Sequence, residues 1–277
     1  MDQGGVVAEL WQFRELTLSL VSRELKARYR GSVFGFLWSL INPLLLLSVY
    51  SLVFGLLLQG GRFLGNETVP YSLYLVVGLF PWVWFQSSLL DGAVSLSENG
   101  GLLRKAVFPA AVLPTVSALS HLIHYLLALP ILFGALAIGR LSGQEVLGWG
   151  APLMVLVVLL QLAMCIGAAL ALSALNVHFK DVRDLLANVL QLLFFLAPII
   201  YSASIFDSGD SVWLNALQWV IRLNPMTPFV IGYHDLLLFD RIPEPSVWLQ
   251  MLLYAGFALL AGSWLFRRLE DTLAEAA

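Results

Sequence analysis

Charge is scarce in this chain. Asp, Glu, Lys and Arg make up 12% of its 277 residues, about half the share of an ordinary soluble domain. A soluble fold of this length needs far more charge to cover its surface, so that class is excluded. Cysteine is nearly absent too. Cys165 is the one cysteine, inside a hydrophobic stretch, which excludes an intrachain disulfide and a cysteine-based metal site. The dipeptide Gly-Lys never occurs, so no phosphate-binding loop of the G-x-x-x-x-G-K-[ST] type is present. A formal net charge of −3 shows no basic bias and gives nucleic-acid binding no support. The first 30 residues are charged and precede any long apolar run, so they are not expected to be a cleavable signal peptide.

Hydrophobicity is what the chain has. Apolar residues make up 59% of it, and six stretches hold no Asp, Glu, Lys or Arg: 31–61, 68–90, 106–139, 146–179, 185–206 and 245–266. Each has at least 22 residues, and roughly 20 helical residues cross a bilayer core. The expected fold is an all-α polytopic membrane protein, a single transmembrane domain over 1–277. Six transmembrane helices are predicted at 34–58, 71–90, 110–138, 151–175, 185–205 and 246–266. Six crossings place both termini on one side. Arg14, Arg23, Lys26, Arg28, Arg30, Arg104, Lys105, Lys180, Arg183, Arg267 and Arg268 then share that side. The positive-inside rule makes it cytoplasmic.

Two further elements are predicted. Residues 1–30 form a cytoplasmic region in which 6–30 read as an amphipathic helix at the membrane interface. Val7, Leu10, Trp11, Leu18, Val21 and Leu25 lie on one face, with Arg14 intruding on it. The external loop 206–245 holds two helices too short to span, one over 212–222 behind Asp210 or Ser211, the other opening at Thr227-Pro228 as cap and first helical proline. These are expected as re-entrant or interfacial helices, forming an external gate or a plain lid.

No carboxylate, lysine or arginine falls within the six predicted spans. Ion-driven transport needs ionisable groups at membrane depth, so a secondary flippase is disfavoured. His121 and His124 share a face of the third span; neutral imidazoles bonded within the bundle or lining a polar cavity are expected there, rather than a metal or proton relay. Phe80, Trp82, Trp84 and Phe85 cluster beside Pro81, and Tyr29, Phe34, Phe36 and Trp38 form a second group. Aromatic faces in a pore suit sugars, and core packing explains them equally well. Ala163, Gly167 and Ala171 form a small-xxx-small face, with Ala258 and Gly262 in the last span. Pro43, Pro81, Pro114, Pro130 and Pro198 are possible kink points. Asn66-Glu67-Thr68 matches a glycosylation sequon by chance, and Asp181 and Asp184 near His178 read as a solvated loop.

The run Arg23-Glu24-Leu25-Lys26-Ala27-Arg28-Tyr29-Arg30-Gly31-Ser32, continuing through Phe34-Gly35-Phe36-Leu37-Trp38-Ser39-Leu40-Ile41-Asn42-Pro43, closely resembles the opening of polysaccharide-exporting permeases of the ABC-2 family. Asn99 to Lys105 with Phe108-Pro109, Asn176 to Val182, and Leu223 to Pro228 with Tyr233 resemble the same family in the same order. Ala110-Ala111 stands where the family often has a charged pair, and His234 where arginine is frequent.

The resemblance implies a permease subunit of an ATP-driven exporter. Lipid-linked polysaccharide of the polyprenyl-phosphate type (O-antigen, capsule or teichoic acid) would move from the cytoplasmic to the outer face of a bacterial inner membrane. A second copy of the chain and two ATPase subunits would be partners, the latter binding ATP and Mg2+. It implies no enzyme and no cofactor in this chain. Arg23, Lys26, Arg28 and Arg30 would meet the substrate phosphate, and Tyr29, Trp38, Phe80, Trp82, Trp84 and Phe85 would line the channel. In the cytoplasmic segments 91–109 and 176–184, Asn99, Leu103, Arg104, Lys105, Phe108, Lys180 and Asp181 would couple to the ATPase. Asn224, Pro225, Thr227, Pro228 and Tyr233 would build the external gate. Alternatives are an ABC-2 exporter of small amphiphiles or drugs, and a membrane-embedded glycolipid transferase.

Overall fold

A computed structural model describes residues 5–28, 30–31, 34, 37–57, 64, 69–103, 109–202, 205 and 212–276. The amphipathic stretch near the N-terminus forms two helices, α1 (Val6–Gln12) and α2 (Arg14–Arg28), where one was expected. Phe13 leaves helical geometry at ψ 22° and its N–H turns to Glu9 O. Val6, Thr17 and Val21 are buried, whereas Trp11 and Leu18 face outward. Of the expected apolar face, then, Val21 packs on the bundle, Trp11 and Leu18 are free for lipid, and the Val7 side chain lies outside the description.

Among the described residues four helices, and not six, are long and apolar enough to cross a membrane. They are α4 (Tyr71–Glu98), α6 (Val112–Leu141), α7 (Met154–His178), preceded by a 3-10 turn over Ala151–Leu153, and α11 (Pro245–Ala276). Between α4 and α6 lies the short α5 (Gly100–Leu103). The stretch expected as the first span gives α3 (Trp38–Tyr50), which carries Pro43 internally and passes into a π-helical segment at Ser51–Leu57. Proline withholds one i→i−4 bond and the π register breaks the α ladder, so no span-length α-helix forms there. The stretch expected as the fifth span gives α8 (Val182–Leu196), only 15 residues long, or about 22 Å of rise against a core of about 30 Å. It stops because Ala197 precedes Pro198 and is extended, at ψ 145°. A residue before proline is driven out of the α region, so Pro198 ends this helix and does not kink it.

Two shorter helices follow, α9 (Val212–Leu223) and α10 (Thr227–Leu237). The expected cap is corrected in detail. Met226 is the N-cap and Thr227 the first helical residue, its Oγ1 donating to Ile221 O at 2.6 Å. The alternative caps Asp210 and Ser211 lie outside the described residues. Helix α10 does not lie on an outer surface: Phe229, Val230, Tyr233, Leu236 and Leu237 are all buried.

Helix α4 is buried along most of its length and forms the axis of the bundle, while α6 and α11 expose much of theirs. Leu249, Leu252, Leu253, Phe257, Leu260 and Trp264 of α11 point outward. Lipid is as apolar as these side chains, so their exposure costs nothing there, and contact between helices depends on close packing and hydrogen bonds. Helices α7 and α11 run parallel: Val157 lies near Met251 around Gly232, Gly167 meets Ala258 and Gly262, and Leu170 and Ala174 share a cluster with Phe266. Because they are parallel, the chain must return to the starting end between them. Helix α8 and residues 197–202 make that return, with Tyr74 Oη donating to Pro198 O and Tyr71 Oη to Ile200 O. Both ends of the described chain meet at one end of the bundle, where Val6 packs with Phe266 and Arg267 lies 4.0 Å from Glu9.

Candidate functional site

At that same end, α2, α4 and α6 converge on one carboxylate. Helix α4 continues past residue 90, where the second span was expected to end, so Asp91 lies inside it, seven residues from its last residue Glu98. Asp91 Oδ2 accepts from Arg28 Nη2 at 2.7 Å and from His121 Nε2 at 2.8 Å. Glu24 stands 3.6 Å from the same Arg28 nitrogen, one helical turn earlier. Burial holds the Glu24 carboxyl above its ordinary value, against the opposing pull of Arg28. The cluster is thus two acids, one guanidinium and one imidazole.

Arg28 separates two hollows. On one side is a cavity of about 370 Å³ between α3, α4 and α6, lined by Trp38, Phe80, Trp84, His121 and His124 among others. Trp84 stacks on Tyr125 with ring centroids 5.1 Å apart, and the His121 and His124 rings are 5.6 Å apart. The buried Trp84 indole N–H has no hydrogen-bond partner among the described residues. On the other side is a polar vestibule of about 420 Å³, with Arg23, Glu24, Asp91, Glu98 and Arg183 on its walls. The first cavity suits a ring-shaped, hydroxyl-bearing group by stacking, and the second a charged one. No cluster of three metal-ligating side chains occurs among the described residues.

The residues expected to line a channel divide. Trp38, Phe80 and Trp84 line the cavity. Trp82 and Phe85 do not; Trp82 packs on Phe85 and on Phe194, and its indole donates to Gln86 Oε1 at 3.0 Å. Tyr29 lies outside the described residues. Among the expected phosphate ligands, Arg23 and Arg28 reach the hollows, while Lys26 and Arg30 are exposed beside them.

The segments expected to couple to a partner come together at this end. Asn99 ends α4, with Nδ2 donating to Ser95 O at 2.9 Å. Leu103 closes α5, and Arg104, Lys105 and Phe108 lie outside the described residues. Lys180 and Asp181 form the exposed turn between α7 and α8. Asn176 Nδ2 donates to Ser97 Oγ at 3.4 Å, tying that turn to the end of α4.

Of the residues expected as a gate, Asn224, Thr227, Pro228 and Tyr233 are buried in joints between helices and Pro225 is half-buried. Asn224 Nδ2 donates to Leu193 O at 2.8 Å while its Oδ1 accepts from Met226 N, so one side chain links α8 to the α9–α10 corner. Pro225 sits in that corner and Pro228 in the first turn of α10. Tyr233 Oη donates to Gln161 Oε1 at 3.0 Å, and Gln161 Nε2 donates to Pro81 O at 2.9 Å. His234 stacks on Tyr74 and donates to its carbonyl at 3.0 Å. Sequence reasoning missed Asp91 and Gln161. An uninterrupted helical pattern as far as Glu98 was the signal for the first; a lone amide in an apolar span was the signal for the second.

Comparison with known proteins gives this geometry a family. The family model for ABC-2 type transporters matches residues 15–238. An O-antigen export system permease protein, RfbA, of Myxococcus xanthus is 35% identical over 272 residues, covering 98% of both chains. Two proteins of that name from Klebsiella pneumoniae are 28% and 27% identical over 262 residues, covering 94% of both chains. The chain belongs to the ABC-2 type transporter family, as a multi-pass membrane permease that serves transport and is not an enzyme.

Proposed function

We propose that this permease moves lipid-linked polysaccharide, of O-antigen, capsule or teichoic-acid type, from the cytoplasmic to the outer face of a bacterial inner membrane. The observation that carries the reading is its end-to-end match to O-antigen export permeases. The hollows around Arg28 support it, because a lipid-linked glycan presents both an anionic phosphate and sugar rings. The phosphate approaches Arg23, Lys26, Arg28 and Arg30, where arginine makes strong charge-assisted bonds. Sugar rings then pass Trp38, Phe80 and Trp84. Lysine and arginine crowd the end that holds α2, Lys180, Arg183 and Arg267, which supports a cytoplasmic side for both termini. Energy comes from two ATPase subunits that bind ATP and Mg2+, docking on 91–109 and 176–184, and a second copy of the chain completes the path.

Depletion of the permease in its own cells tests this. Lipid-linked glycan is expected to accumulate on the inner leaflet, and the affinity-purified permease to bring a P-loop ATPase with it. If no glycan accumulates and sensitivity to small amphiphiles rises, polysaccharide export is rejected in favour of small-molecule export.

A further inference from the structure

At the end of the bundle away from α1 and α2 lies a hollow of about 660 Å³ that none of the roles above uses. The loop between α6 and α7 and the chain just past α10 form its walls, with Arg140, Gln144, Glu145, Trp149, Phe239 and Asp240 around it. Its volume lies in the range of small-ligand sites. Trp149 is 97% exposed, the most open large hydrophobic side chain among the described residues.

The loop is held firmly. Arg140 Nη1 donates to Val146 O at 2.9 Å and to Leu147 O at 2.7 Å, and Leu147 N donates to Leu237 O at 3.0 Å. The Asp240 carboxylate lies so close to Gly148 that a β-carbon there would collide with it. Leu147 and Asp240 both adopt positive φ, 60° and 45°, a conformation that side chains other than glycine take at a cost. The chain thus meets that cost at two points beside one hollow, and the result is a fixed rim carrying an open indole.

We infer that this rim is a subsite for a neutral, hydroxyl-rich glycan, with Trp149 as its stacking platform. An indole face accepts the C–H face of a sugar ring, Glu145 and Asp240 accept from hydroxyls, and the Gln144 amide both donates and accepts. Charge gives phosphate no advantage: Glu145 and Asp240 stand against Arg140, whose guanidinium already bonds two carbonyls, and Arg241, whose guanidinium stacks on Phe239 at 4.7 Å. A tryptophan that merely anchors the protein in the lipid interface needs neither the hollow nor the carboxylates beside it. The inference rests on the proposed function in taking this end to face outward, where it meets the glycan as it emerges.

The test uses the full chain in lipid nanodiscs and lipid-free polysaccharide released by mild acid from the cells that make the protein. The parent is expected to bind it saturably, Trp149→Ala to bind about ten-fold more weakly, a loss of about 1.4 kcal/mol, and Trp149→Phe to restore most of the affinity. Asp240→Asn weakens binding as well. Absence of saturable binding to the parent, equal binding by Trp149→Ala, or no restoration by phenylalanine overturns the inference. A fall in thermal stability with glycan binding intact marks Trp149 as a membrane anchor and also overturns it. Glycan accumulation on depletion, with Trp149→Ala binding like the parent, rejects this site and leaves the transport reading standing. Binding that depends on Trp149, without accumulation, rejects the transport reading and leaves the site.

Discussion

Asp91 Oδ2 is shared by a guanidinium from α2 and an imidazole from α6. A hydrogen bond to a charged group contributes about 1.5–3 kcal/mol in general. Here the contribution falls below that range, because the Asp91 and Arg28 side chains are 41% and 35% exposed and exposed pairs are weak. Asp91→Ala and Arg28→Ala are each expected to lower the unfolding temperature of the solubilised protein. In the double variant the two effects should fall short of additive by about 0.5–1 kcal/mol. Additivity within about 0.3 kcal/mol would mean that the bridge contributes nothing to holding α2 on the bundle. The two ends of this bridge were unequally legible in the sequence. Arg28 stood out by its place in a basic run, whereas Asp91 is one residue beyond an apolar stretch and reads as a loop charge. Its role depends on α4 keeping its register to Glu98, which composition alone does not decide.

The parallel pair α7 and α11 is fitted around glycine. A β-carbon on Gly167 would collide with the Ala258 backbone, and one on Gly262 with the Gly167 carbonyl, while one on Gly256 of α11 meets nothing within 4 Å. Gly167→Ala is therefore expected to destabilise by about 3 kcal/mol or more, since backbone cannot yield as a side-chain end can. Gly256→Ala should be neutral or stabilising by up to about 1 kcal/mol, through helix propensity. Thermal unfolding of the two variants in detergent checks this, and equal midpoints would refute the close packing. Here the small-residue spacing, read from the sequence, included Gly167, Ala258 and Gly262, which meet, but did not give the partner helix or its direction. Helix ends were less legible. Pro43 and Pro198 each sit within a stretch apolar enough to span, and a hydropathy pattern does not distinguish a proline that bends a helix from one that stops it. Pro81 and Pro130 stay inside α4 and α6, whereas Pro198 follows the last residues of α8.

Taken as one molecule, the permease is expected to draw its work from the ATPase subunits proposed above. Asp91, which lies in α4 seven residues before its end, is already bonded to His121 and Arg28, so it is not an open acid for an ion to load. Reconstituted alone in liposomes, the chain is expected to move no lipid-linked glycan under a proton or sodium gradient, and to do so only with its ATPase and ATP. Gradient-driven movement by the solitary chain would refute that. Membrane residence and family were legible in the residues themselves: scarce charge leaves lipid as the one solvent that tolerates such a surface, and the ordered motifs from Arg23 to Tyr233 survive as contiguous text. How many helices cross, and which aromatics face a cavity, were decided by the fold. Both depend on backbone breaks and on the rotation of each helix against its neighbours. Trp82 and Trp84 are two residues apart on α4, and only packing sends the first into the core and the second to the cavity wall.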